Sequence, residues 1–133
     1  MDVKMVVAAK TLDHSLRRRD NRRAELLDAA AQNFRLRGYA AASMREIAFD
    51  ARMKAGSMYY YFPSKVELLI AVHEEGVKRI RRAVATAIDV YSNPWERLEA
   101  AMAVHLQVLL DGGDYARIAT ARKFNARPSR PIT

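Results

Sequence analysis

The chain has no cysteine among its 133 residues, which excludes disulfides and thiolate metal sites and agrees with a reducing compartment. Glycine and proline are scarce, five and four residues, and strict alternation of apolar and polar positions is nowhere sustained. Hairpin-rich sheet is therefore not expected, and the chain reads as all-α. No apolar run approaches the ~20 residues that a membrane-spanning helix needs, and nothing has the layout of a secretion signal.

Catalytic and metal-binding patterns are equally scarce. The three histidines, His14, His73 and His105, lie far apart, form no His-x-x-x-His pair, and have no cysteine to complete a ligand set, so no metal is expected. His73-Glu74-Glu75 lacks the second histidine of a metalloprotease helix. Tyr61-x-x-x-Lys65 has the tyrosine-lysine spacing of short-chain dehydrogenases, but Pro63 interrupts the helix that such spacing requires. No glycine-rich nucleotide fingerprint accompanies it. No nucleophile has a base beside it; the chain is not expected to be an enzyme or to need a cofactor.

What is abundant is hydrophobic side chain, half of all residues, and positive charge, a formal +8. The charge is uneven. Residues 1–23 hold seven basic and three acidic groups, and residues 115–133 hold five basic and no acidic ones. Between them, residues 24–91 are nearly balanced with ten against eight, and residues 92–114 are acidic with one against four. A basic arm from Lys4 to Arg23 can reach phosphates or a minor groove, although solvated ends are the commoner use of such charge.

Helical signals follow one another closely. From Arg22 to Arg37, Leu27, Ala30, Ala31 and Phe34 recur at i, i+3, i+4 and i+7, and Gly38 stands where a left-handed cap ends a helix. Ser43-x-x-Glu46 is a capping box, with the serine oxygen accepting from a backbone N–H one turn on and the glutamate reaching back to the serine N–H. The helix it opens, Met44 to Asp50, is too short to stand alone and must pack on a neighbour. A second short helix starts at Ala55, carries Met58 and Phe62 at i and i+4, and is stopped by Pro63. Two short helices with a tight joint make a helix-turn-helix. Leu27, Phe34, Ile47, Ala48, Met58 and Phe62 then have one destination, a small three-helix core, each burial worth roughly 1.5–3 kcal/mol.

Downstream, a long helix runs from Ser64 through Leu68, Leu69, Val72, Val77, Ile80, Val84 and Ile88 to Tyr91. Ser92-Asn93-Pro94 punctuates it and supplies an N-cap followed by proline at the first helical position. The next helix, to about Leu110, carries Leu98, Met102, His105, Leu106 and Leu109 on one face, and Asp111-Gly112-Gly113 closes it. Tyr115 to Phe124 reads as a short helical piece, which Arg127-Pro128-Ser129-Arg130-Pro131 cannot continue.

Between Arg22 and about Val72, the order and spacing of Leu27, Ala29-Ala30, Phe34, Gly38-Tyr39, Ser43, Ile47-Ala48, Gly56-Ser57, Tyr59, Phe62 and Lys65 resemble the DNA-binding domain of the tetracycline-repressor (TetR) family. The resemblance implies a three-helix homeodomain-like helix-turn-helix domain followed by a helical ligand-binding and dimerisation domain, here partial. It implies a transcriptional regulator, a repressor that acts as a homodimer on palindromic double-stranded DNA in the cytoplasm and nucleoid, released by a small apolar or amphiphilic effector. The alternative is a helical interaction module or truncated remnant that keeps the helix-turn-helix without dimerising or gripping DNA. The expected organisation is a basic, disordered arm over 1–20, the helix-turn-helix domain over 21–66, and a truncated helical regulatory domain with an irregular basic tail over 67–133. The likeness fades after about Leu110, and the closing helices that commonly build the family's dimer interface are expected to be missing.

Carried over position by position, the resemblance puts Ser43, Met44 and Arg45, then Lys54, Ala55, Gly56, Ser57, Tyr59 and Tyr60, and finally Lys65, against DNA. Gly56 admits close backbone approach, Ser57 and the tyrosine hydroxyls suit phosphates, and Arg45 can fork onto guanine O6 and N7. Lys65 at a helix start suits a phosphate, while its default role is a solvated surface charge. Effector contacts are expected from Leu98, Met102, His105, Leu106 and Leu109, although such a stripe at helical spacing is more often core or subunit interface than a ligand cavity. Two departures from the family stand out: Arg52 replaces the turn glycine, and Lys54 replaces the hydroxyl cap of the second short helix, a loss of ~1 kcal/mol.

Overall fold

The computed structural model describes residues 2–111 and 113–120, and all regular structure among them is helical. Six helices follow in order: α1 (Val3–Arg37), α2 (Met44–Asp50), α3 (Ala55–Tyr61), α4 (Lys65–Asp89), α5 (Pro94–Leu110) and α6 (Asp114–Thr120). No helix of the described residues is long and apolar enough to cross a membrane. The expected helical residues beyond Thr120, and the basic tail, lie outside the described residues.

Local chemistry accounts for most boundaries. Ser43 Oγ accepts from the Glu46 N–H at 3.1 Å, Ser64 Oγ from the Glu67 N–H at 3.2 Å, and Asn93 Oδ1 from the Trp95 N–H at 2.8 Å. Each occupies a donor left over at a helix start. Gly38 ends α1 with φ 79°, a conformation costly for any residue with a Cβ, and its N–H donates to the Phe34 carbonyl at 3.0 Å. One half of the expected capping box is engaged elsewhere: the Glu46 carboxylate pairs with Arg37 on α1. That pairing ties the two helices instead of closing the cap.

The core forms where α1, α2, α3 and the start of α4 meet. Phe34, Leu26, Ile47, Met58, Leu68 and Val72 are fully enclosed, with Leu27, Ala48 and Phe62 beside them. All six residues assigned to the three-helix core from the sequence are inside it. Asn33, the one buried polar residue among those described, donates to the Ala29 carbonyl at 2.9 Å and to Asp50 Oδ2 at 2.8 Å. A buried amide thus satisfied fixes α2 against α1 without an unpaired group.

Two elements differ from expectation. Residues 3–20, expected as a disordered arm, are helical and continue α1 toward its N-terminus, although every one of them is exposed. Asp2 caps the start by accepting from the Lys4 N–H, and the segment is rich in alanine, leucine, lysine and arginine, all good helix formers. No apolar period was needed to extend a helix already nucleated by the packed turns downstream. Second, α6 inserts Tyr115, Ala116 and Ile118 against α1 and α4 as part of the core, a burial no local pattern announced.

Candidate nucleic-acid interface

A short helix reads DNA only if one side of it is anchored and the other is bare. In α3, Met58 and the capping Phe62 point inward at 0% and 5% exposure, while Gly56, Ser57, Tyr59 and Tyr60 stay exposed and Ala55 is half-buried. Any Cβ added at Gly56 would meet nothing within 4 Å, so its bareness serves an approach from outside, not internal packing. Tyr61 is half-buried against the core and sets its ring edge-on to Tyr60 at 5.6 Å. The tyrosine pair therefore divides its labour, one ring inside and one out.

Arg45, in the first turn of α2, is exposed and forms no ion pair among the described residues. Arg52 in the turn between the helices has φ 54°, the left-handed conformation that glycine would take without strain. Lys54 occupies the N-cap of α3 without any side-chain cap bond. Both departures noted in the sequence thus fall on the turn and cap where they were expected to matter, and both side chains are exposed.

Three of the expected contact residues are otherwise engaged. Met44 is 9% exposed and belongs to the core, so its side chain does not face outward. Ser43 is occupied as a cap. The Lys65 ammonium turns back to donate to the carbonyls of Tyr39 at 2.7 Å, Ala42 at 3.2 Å and Ala40 at 3.4 Å, and lies 4.4 Å from the centre of the Tyr39 ring. It fastens the loop between α1 and α2, whose carbonyls have no helical partner. A cation surrounded in this way is a clasp for the loop, not a free phosphate ligand.

Two residues of the basic arm from Lys4 to Arg23 approach α3 from α1. Arg19 donates to the Tyr60 hydroxyl at 3.1 Å and Arg23 lies 5.2 Å from the centre of the Phe62 ring. These contacts span about forty residues of chain, and no spacing rule could have paired them.

The half from α4 onward is packed more openly, and α5 buries none of its residues. Two open apolar grooves flank the packing of α4 on α5, one of about 580 Å³ lined by residues including Val77, Ile80, Val84, Ile88 and His105, the other of about 540 Å³. Met102, His105, Leu106 and Leu109 line the second groove, whereas Leu98 does not. Where α6 meets α1 and α4, the Tyr115 hydroxyl donates to Asp28 at 2.6 Å and the Arg79 guanidinium stacks 3.9 Å from the Tyr115 ring centre. Burial pushes the Tyr115 phenol well above its ordinary range, and its donation to Asp28 pushes it further.

An anchored two-helix hairpin with a bare second helix, backed by a third and followed by a long helix, is the helix-turn-helix class of DNA-binding domain. Residues 26–72 match the family model described as bacterial regulatory proteins, tetR family, and the chain belongs to the TetR family. It is 40% identical over 84 residues to the transcriptional activator FasR of Mycolicibacterium smegmatis, covering 63% of this chain and 38% of that protein. It is 32% identical over 114 residues to the transcriptional repressor KstR2 of Mycobacterium tuberculosis, covering 80% and 57%. Among solved structures, AibR in complex with isovaleryl coenzyme A and operator DNA superposes with a TM-score of 0.68 at 28% identity, covering 80% of this chain and 58% of that one. The chain thus spans about half the length of the relatives it matches.

Proposed function

We propose that this chain is a DNA-binding transcriptional regulator, not an enzyme, that acts in the cytoplasm as a homodimeric repressor on a palindromic operator. The observation that carries the reading is the bare face of α3, Gly56, Ser57, Tyr59 and Tyr60, held outward by the burial of Met58 and Phe62. Arg45 from α2 reads a base edge, and Ser57, Tyr59, Tyr60, Arg52 and Lys54 hold phosphates around it. Met44, Ser43 and Lys65 act from behind, by keeping α2 and its loop in place. A small apolar or amphiphilic effector seated in the grooves between α4 and α5 releases the complex. An acyl thioester is the class to try first, because the structurally similar AibR was crystallised with isovaleryl coenzyme A.

Selection of bound duplexes from a randomised library, followed by a salt titration on the selected sequence, tests this reading. A selected palindrome, a dimer by solution mass, and an affinity that falls steeply with salt are expected. Arg45→Ala should lose discrimination at one base position by ~1–3 kcal/mol. A monomer that enriches no sequence would end the repressor reading.

A further inference from the structure

The N-terminal part of α1 is a basic helix with an unexpected point of attachment. Arg17, Arg18, Arg19, Arg22 and Arg23 fall within seven consecutive positions, and the segment is exposed throughout. Its side chains are not equivalent. Arg17 pairs with Asp13 at 3.1 Å. Arg19 and Arg23 lie against α3, through the Tyr60 hydroxyl and the Phe62 ring respectively. Arg18 meets the His14 ring at 3.1 Å, and neither it nor Arg22 forms an ion pair among the described residues. One turn apart, these two form a pair of cations beside Arg19, the residue that touches the outward-facing tyrosine of α3.

We infer that the arginine segment of α1 is a second DNA-contacting element, in which Arg18 and Arg22 engage phosphates next to the groove entered by α3. Arg19 is its positioning residue, setting the segment and the Tyr60 ring relative to each other. This rests on the DNA-binding reading above. The occupant follows from charge. Residues 24–91 are nearly neutral, so the strongest source of attraction for a polyanion beside α3 is this segment, and its guanidinium groups suit phosphate oxygens in a way that lysines do not. Because the segment is helical, its cations arrive in fixed register with α3. A flexible arm would lack that order and would lose entropy on binding.

The test compares the full-length parent, Arg18→Ala/Arg22→Ala and Arg17→Ala on a duplex of about 40 base pairs, several helical turns, carrying the sequence selected by the parent. Each neutralised phosphate contributes about 0.9 to the slope of log affinity against log salt. With two such residues on each protomer of the dimer, the double variant should lower that slope by about 3.6, bind every sequence less tightly by a similar factor, and leave the order of preferred sequences unchanged. Circular dichroism should show its helix content equal to the parent's. Arg17→Ala, which also removes a positive charge, should leave the slope within experimental error of the parent. Equal slopes for the parent and the double variant, with sequence preference intact, would overturn the second element and leave the α3 reading standing. A parent that prefers no sequence would overturn both.

Discussion

Around α1, α2 and α3, helices of seven residues are held by fully enclosed side chains such as Phe34, Ile47 and Met58. By contrast α5, with seventeen residues, buries none of them and leaves Leu98, Met102 and Leu106 at least half exposed. The short helices exist because tertiary packing outweighs their poor odds in isolation. The long one rests on its own caps, Asn93 and Pro94, on length, and on one-sided contact with α4. Rigidity is therefore concentrated where α3 must be presented, and the apolar grooves lie where the structure is loosest. That arrangement suits the proposed function, in which α3 keeps its shape to read DNA and the grooves beside α5 repack around an effector.

The largest expected break in this contrast is Phe34→Ala, which opens a cavity in the core and should cost about 3–5 kcal/mol in chemical denaturation. Leu106→Ala, on the exposed side of α5, should cost under about 0.5 kcal/mol in the same measurement. Equal losses would show that the two halves are not as unlike as burial implies.

Tyr115 sharpens the boundary between the halves, since its hydroxyl joins α6 to α1 through Asp28. Tyr115→Phe should lower stability by about 1–2 kcal/mol at neutral pH, with the hydrogen bond removed and the ring retained. Because folding raises the phenol's pKa, the folded chain keeps a proton that the unfolded chain releases above about pH 10. The resulting stability is complete below that pH and declines as pH climbs further. Urea midpoints measured from about pH 8 to about pH 11, a range that brackets the free phenol, should fall for the parent and fall less for Tyr115→Phe. Parallel curves would contradict the link.

Smaller effects concern the reading head itself. Lys54→Ser supplies the missing cap of α3 and should stabilise by ~1 kcal/mol. Arg52→Gly relieves the positive φ and should gain about 0.5 kcal/mol after the entropy cost of glycine. If both variants gained stability but bound DNA more weakly, Arg52 and Lys54 would be cations kept in spite of local strain. Thermal melts beside the salt titration separate the two quantities.

Features that depend on neighbours within four residues are legible in the sequence. Ser43 with Glu46, Gly38 after Phe34, and Pro63 after Phe62 set the limits of α2, the end of α1 and the end of α3, and the apolar period of α1 names its core face. Outward placement of Gly56, Ser57, Tyr59 and Tyr60 follows from Met58 and Phe62 being the inward pair. The fate of Lys65 is hidden because its carbonyl partners lie 23 to 26 residues away, and a lysine's reach is set by the backbone it meets. The same holds for Glu46, drawn off its own cap by Arg37, and for Met44, taken into the core.

The sequence alone determined that this chain is helical, where its short helices begin and stop, and which family's DNA-reading pattern it carries, because capping and periodicity act over one or two turns. Only the tertiary structure decided that Lys65 clasps a loop, that α6 completes the core, and that Arg19 reaches Tyr60. Those contacts join residues distant in the chain, and their partners are chosen by how whole helices pack.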